Sequence, residues 1–443
     1  MTQRRDFLRH VAAAGLIAVP GSLVSPAFAR STAGAGAAMV SRAVRAPGSI
    51  MRLGGQGDGY KMTVTADGRQ LVVVNDGPGW APPPATFFST RLWTIEGSPE
   101  RARFEQLAGY PVFDRAALPE GAPSYYGHGV LAVGEHLYQF LATLDDAEER
   151  PRHWTGAKLI HSPDGGATWL NPDGSGPVIW EGWDEQATAG FPFLNEPDGC
   201  FSLLSFLQQG RAYSENRDGY IYVYGLNGSA DGLMNQVVMF RVKQDRLLDR
   251  DSYRFFAGRL KDGTARWSCD IADREPVHTF PLGWVNYTNL FPGDLVVESW
   301  LPSVVWNEPL GLYMMASAGI GLAPDGTEFG KPSYLGVWVS DKPWGPWRQV
   351  LEDKAWTPAG DANARAYAPQ IAPGWVAPDG KSFWLAWADL AGLRAFDRDG
   401  ALVDAEMAKA KTARERTMIE AALLRRYMPG FAMQAQRVDL LLE

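Results

Sequence analysis

Asp58 stands between glycines in Gly57-Asp58-Gly59-Tyr60, and Glu298 leads into an apolar run, Ser299-Trp300-Leu301-Pro302-Ser303-Val304-Val305. Two carboxyl groups are what glycoside hydrolysis needs. One stays protonated and donates to the leaving oxygen, while the other is ionised and activates water or attacks. His128 lies between glycines in Tyr125-Tyr126-Gly127-His128-Gly129, where missing side chains let a ligand or another backbone come close to the ring. Arg365 and Tyr367 immediately precede Ala368-Pro369-Gln370-Ile371. Rings such as those of Tyr126, Trp300 and Tyr367 stack on sugar faces, and Arg365 can bind hydroxyls. Each position also has a structural reading. Asp58 can cap a turn, and Glu298 can be buried against a satisfied partner.

These residues meet only if distant segments converge. Five times along the chain a short polar turn is followed by a strand rich in aromatic or β-branched residues. The turns are Ala66-Asp67-Gly68-Arg69-Gln70, Val133-Gly134-Glu135-His136, Asn216-Arg217-Asp218-Gly219, Asn307-Glu308-Pro309-Leu310-Gly311 and Pro378-Asp379-Gly380-Lys381. Their spacing, roughly 65 to 95 residues, is longer than a standard propeller repeat and leaves room for loop insertions. A third strand follows each unit, at residues 91–95, 157–161, 237–242, 335–339 and 436–441. Fourth strands are expected at 104–107, 177–180, 253–256 and 347–350.

This pattern predicts an all-β protein, a five-bladed β-propeller filling residues 30–443. The blades fall near 58–107, 124–180, 203–256, 298–350 and 365–443. The last blade has no fourth strand at the C-terminus, so Met39 to Ala46 is expected to supply it and hide two sheet edges. In a propeller the starts of the innermost strands surround one funnel. That arrangement would gather Asp58, Tyr126 with His128, Gln208 with Gln209 and Arg211, Glu298 with Trp300, and Asn363 with Arg365 and Tyr367. Asn75-Asp76-Gly77-Pro78-Gly79-Trp80 ends the strand after the first turn and is expected to lie away from the mouth. Asn195-Glu196-Pro197-Asp198-Gly199 reads as a loop turn.

Other segments describe scaffold and destination. Ser162-Pro163-Asp164-Gly165-Gly166-Ala167-Thr168-Trp169 fits the Asp-box pattern S-x-D-x-G-x-x-W, a structural turn on the rim of a blade. Residues 403–427 read as one amphipathic helix or two, inserted in the last blade and ended by Pro429-Gly430. Residues 1–29 read as a twin-arginine signal peptide. Arg4-Arg5 precedes an apolar run from Val11 to Val24 and then Ala27-Phe28-Ala29. The expected location is the periplasm or the exterior, with an N-terminal membrane anchor as the alternative. Net charge is −8 with no basic run after the leader, which argues against a nucleic-acid partner. No later apolar stretch approaches the ~20 residues of a membrane helix. The two cysteines, Cys200 and Cys269, are consistent with a disulfide or with two separate thiols. No cofactor is expected. The histidines lack zinc spacing and no D-x-D-x-D-G loop is present, although a structural calcium held by carbonyls and waters would leave no trace in the sequence.

The S-x-D-x-G-x-x-W turn, its looser relative Ser340-Asp341-Lys342-Pro343-Trp344-Gly345-Pro346-Trp347, and Val237 to Val242 followed by Leu247-Leu248-Asp249 and Tyr253 resemble a family of secreted five-bladed propellers of an uncharacterised domain type. Bacterial endo-D-arabinanases are among its members. The layout is also similar to the wider furanosidase propellers, arabinanases and xylosidases, and Ala432 to Val438 fits the same pattern. The resemblance covers most of residues 50–443 and rests on blade scaffolding. It implies a base or nucleophile at Asp58, an acid at Glu298, and a modulator on the second blade. There the furanosidases carry an aspartate and this chain carries His128. The expected substrate is a poly- or oligosaccharide. A carbohydrate-binding propeller without chemistry, and a polysaccharide lyase using His128 or a tyrosine as base, are the rival readings.

Overall fold

The computed structural model describes residues 37, 39–113, 124–145, 153–181, 193–196, 199–228, 233–280, 302–319, 321, 329–390, 392–427 and 431–443. The first strand of the described residues is β1 (Val40–Arg45). Blade one follows as β2 (Met51–Val64), β3 (Gln70–Gly79), β4 (Phe88–Glu96) and β5 (Arg103–Gln106). Blade two is β6 (Ser124–Val133), β7 (His136–Asp145), β8 (His153–Ser162) and β9 (Phe193–Leu194). Blade three is β10 (Leu204–Gln208), β11 (Tyr220–Asn227), β12 (Leu233–Lys243) and β13 (Arg254–Arg259), with β14 (Ala265–Ser268) and β15 (His278–Thr279) added at its edge. Blade four is β16 (Ser303–Asn307), β17 (Leu312–Gly319), β18 (Ser333–Ser340) and β19 (Arg348–Trp356). Blade five is β20 (Ala366–Val376), β21 (Ser382–Asp389) and β22 (Ala432–Leu442). Between β21 and β22 lie three helices, α1 (Leu393–Arg398), α2 (Gly400–Met407) and α3 (Ala413–Tyr427), so the helical insert begins earlier than its composition suggested.

Neighbouring strands within each blade run antiparallel. Each of the five hairpin turns between first and second strands contains a glycine at positive φ: Gly68, Gly134, Gly219, Gly311 and Gly380. A left-handed residue in a tight turn suits glycine, which has no Cβ to clash. The innermost strands β2, β6, β10, β16 and β20 follow one another around a closed ring, each beside the next and β20 beside β2. β10 and β16 pair directly and in parallel, Leu207 with Val304 and Gln208 with Val305. Every seam carries a hydrogen bond. Ala132 N donates to Thr63 Oγ1 (3.0 Å), Gln208 Nε2 to Val130 O (3.0 Å), Ser205 Oγ to Pro302 O (2.6 Å), Ile371 N to Ser303 Oγ (3.0 Å), and the Tyr367 hydroxyl to Asp58 Oδ2. Apolar faces of adjacent blades fill the space between. One such layer sets Met314, Val337 and Val339 of blade four against Phe383, Leu385, Trp387 and Val438 of blade five.

β1 pairs with β22 as the missing outer strand of blade five, Val40 opposite Leu442 and Arg45 opposite Val438. Val40 and Ala43 are buried in the layer between blades four and five. Arg348 reaches back to the Ala37 and Val40 carbonyls, and Asp341 accepts from Ala37 N (2.8 Å). Residues 177–180 are not the outer strand of blade two. The Asn171 side chain binds their backbone, with Oδ1 accepting from Ile179 N (3.0 Å) and Nδ2 donating to Pro177 O (3.0 Å). Trp180 packs edge-on against Tyr125. β9 takes the outer position, Leu194 opposite Ala157. Cys200 is buried and Cys269 exposed, as thiols rather than a shared disulfide.

A truncation lacking residues 31–47 bares the β22 edge and removes Val40 and Ala43 from their layer. The expected result is a melting temperature lower by roughly 3–5 °C, from a loss of a few kcal/mol, with new association through the exposed edge. Thermal unfolding and size-exclusion chromatography check both.

Candidate functional site

β2 belongs to two blades. Met51 to Gln56 continue the line of β1 against β22, Met51 opposite Ala435 and Gln56 opposite Ala432. The chain then crosses to the centre, and Asp58 to Val64 pair with β3 as the innermost strand of blade one. Gly54, Gly55 and Gly57 make the crossing at φ +74°, +74° and +139°. A Cβ on Gly57 would lie 2.4 Å from Asn75 O. The Tyr60 hydroxyl lies 2.7 Å from both the Gly55 and Gly57 carbonyl oxygens and fixes the corner. Asp58 is the first side chain beyond the crossing.

Three innermost strands are irregular at the same level. The ladder slips between Gly59 and Met62 on β2, between Gly127 and Val130 on β6, and between Tyr367 and Gln370 on β20. The slips leave out Tyr60 and Lys61, His128 and Gly129, and Ala368 and Pro369. Bulges of this kind re-aim side chains and gather beside functional sites. Here they follow Asp58, Tyr126 and Tyr367 at the mouth.

Asp58 is only 8% exposed, and its Oδ2 accepts the Tyr367 hydroxyl from the neighbouring blade. A buried carboxylate is tolerated only with such donors. Tyr126 is buried, and Trp154 meets both its ring and the imidazole of His128 edge-on, with centroids 5.6 and 5.7 Å apart. Burial, and then the charge of Lys61, pushes the His128 imidazole down to about 3, so it is neutral at ordinary pH. Lys61 is buried in turn, and desolvation brings its ammonium down to about 7. Arg365 faces inward, but its guanidinium donates to the carbonyls of Phe329 (2.7 Å), Ala362 (2.9 Å) and Ala364 (2.8 Å), an anchor for the start of β20.

Several expectations change. Asn75 does not lie away from the mouth. It pairs directly with Asp58 across β2 and β3, and its Nδ2 donates to Gly127 O (2.9 Å), joining the Asp58 strand to the His128 bulge. Gln208 closes β10, and Gln209 and Arg211 follow it, so all three occupy the opposite end of blade three from the mouth. Gln208 serves the seam to Val130, and Gln209 donates to the Tyr213 hydroxyl (3.2 Å). Glu196 of the 195–199 loop pairs with Arg250 at 2.7 Å. Glu298 and Trp300 lie outside the described residues.

A second carboxylate escaped the sequence reading. Asp389 ends β21 opposite Ala366, is 8% exposed, and its Oδ2 accepts from Gln434 Nε2 at 2.5 Å. Burial raises the Tyr60 phenol well above its ordinary value, and the charges of Asp58 and then Asp389 add to the shift. Both carboxylates therefore act on the same corner. Its only sequence signal was a lone acid at the end of the aromatic run Phe383-Trp384-Leu385-Ala386-Trp387. Among the described residues no three or more His, Cys, Asp or Glu side chains group to hold a metal. The mouth thus combines a donor-fixed carboxylate, a neutral imidazole, a buried amine and aromatic walls, a set suited to proton transfer at a polar, ring-shaped ligand.

No family model matches the sequence, and no curated protein matches it. Solved structures do overlap with the fold. A hydrolase from Bacteroides ovatus, described as putative, shares 14% identity at a TM-score of 0.43, over 88% of this chain and 87% of that one. The catalytic domain of the Coprinopsis cinerea GH62 α-L-arabinofuranosidase shares 12% at 0.39, over 79% and 91%. An endo-arabinase from Bacteroides thetaiotaomicron shares 10% at 0.39, over 75% and 89%. The overlap is partial at these scores, and the propeller assignment rests on the closed ring of strands itself.

Proposed function

We propose that this protein is an exported glycoside hydrolase acting on a poly- or oligosaccharide of the furanose-containing kind. Asp58 is the base or nucleophile, Glu298 the acid, and His128 an orienting group. The reading rests on the setting of Asp58, a buried carboxylate at the mouth of the ring, aimed by a glycine crossing on one side and held by the Tyr367 hydroxyl on the other. Tyr126, Trp154 and the imidazole of His128 pack edge-on as an aromatic cluster at the start of the neighbouring blade. The residues at Arg4-Arg5 and Ala27-Phe28-Ala29 support the export component.

Asp58→Asn and Glu298→Gln are each expected to lower kcat by roughly 10²–10⁴-fold with the melting temperature kept, measured by release of reducing ends from arabinans and arabinogalactan. Activity retained in Glu298→Gln would pass the acid role to Asp389, and Asp389→Asn then becomes the inactive variant. Glycan binding without release of reducing ends in the unaltered protein would replace the hydrolase by the binding propeller.

Tyr367→Phe removes a donor to the charged form of Asp58. Such a bond lowers a carboxyl pKa, so its loss moves the acid limb of the pH–rate profile to higher pH. A profile that does not move removes Tyr367 from the setting of the base.

His128 is neutral in the folded protein down to about 3, whereas the unfolded chain protonates near its ordinary value of 6.5. The lowered value contributes stability that is full above pH 6.5 and is lost as pH falls from there toward 3. His128→Gln should flatten the decline of melting temperature between pH 6.5 and 4 and leave the acid limb of the rate profile in place. An acid limb abolished by this variant would mean that the imidazole titrates during turnover.

A further inference from the structure

The outer strands β1 and β19 face each other across the seam between blades four and five and enclose a cleft of about 870 Å³. This is within the size range of sites that take small organic ligands. Arg42 and Arg45 line it from β1, Glu352 and Asp353 from β19, and Gln436 from β22. The Gln436 side chain is 6% exposed. Its Nε2 donates to Ala46 O (3.1 Å), while its Oε1 is buried with no hydrogen-bond partner among the described residues. Gln436 thus braces the floor of the cleft through Ala46, and the arginines and carboxylates of β1 and β19 are the groups open to an occupant.

We propose that this cleft is a second, non-catalytic binding site for a neutral oligosaccharide segment. The claim rests on the glycan reading above. Two guanidinium groups and two carboxylates balance in charge, and Arg45 and Asp353 are already ion-paired across the space. A polyanion would meet the carboxylates and a polycation the arginines. A hydroxyl-rich neutral chain instead finds donors in the arginines and acceptors in Glu352 and Asp353. The position is also suited to a polymer. Ala359 and Gly360 of the turn Pro358–Gly360 line the cleft, and the backbone runs on from them into β20, whose second residue is Tyr367. A chain held in the cleft continues past that turn toward the mouth, and the second hold raises the effective concentration of the chain there.

The test uses the whole mature protein, with Arg42→Ala removing a donor and Thr357→Trp filling the cleft. Thermal unfolding confirms that both fold. Arabino-oligosaccharides of six units are titrated calorimetrically into an Asp58→Asn background, with polygalacturonate as the acidic comparator. The expected result is two sites for the neutral chain, one of them lost in each cleft variant. With Asp58 intact, either cleft variant should raise KM on polymeric arabinan about tenfold and leave KM on a short oligosaccharide unchanged. One site only, unchanged by either variant, overturns the cleft site and leaves the hydrolase intact. Preference for polygalacturonate overturns the neutral assignment. No binding by any glycan, together with no turnover, overturns both the cleft site and the hydrolase.

Discussion

A ring of blades contains one joint that neighbouring stretches of chain cannot make, because it joins the beginning of the chain to its end. Here that joint is made twice, once within blade five and once between blade five and blade one. On the outside β1 lies against β22. At the centre Asp58 meets Tyr367 across 309 residues of sequence. Gly57 N also donates to Phe431 O, at 3.3 Å, where the chain turns inward. The other four seams are closed by hydrogen bonds with no evident part in chemistry. The fifth is closed by the carboxylate that the reaction would use. Movement that opens this seam therefore alters the hydration and aim of Asp58.

Low dielectric surrounds these groups, and its effect depends on the group. It keeps His128 uncharged, weakens the hold of Lys61 on its proton, and makes the hydroxyl of Tyr367 a valuable donor to Asp58. The second blade thus brings a neutral ring to the mouth and the first blade a buried amine.

Much of the architecture was legible because strands announce themselves by alternation and turns by glycine. The five turn-and-strand units fall where the sequence placed them, and Val40 to Arg45 closes blade five as its missing strand implied. Side-chain contacts were harder to read. Residues 177–180 have the composition of a strand, but Asn171 satisfies their backbone and Trp180 turns inward. Gln208 was assigned to the start of a strand that it ends, because the short β10 begins only after a turn at Phe201 to Leu203. Asn75 and Asp389 were missed for a common reason. They lie on second strands, and only the pairing register reveals that a second strand ends where its innermost neighbour begins.

The double membership of β2 has a consequence for biogenesis. Its first half cannot settle until β22, made nearly four hundred residues later, has left the ribosome, and its second half carries Asp58. Contacts so distant in sequence form late and slowly. A nascent chain that lacks β22 can stack several blades, yet its Asp58 is unaimed. Competence at the mouth therefore arrives with β22, all at once.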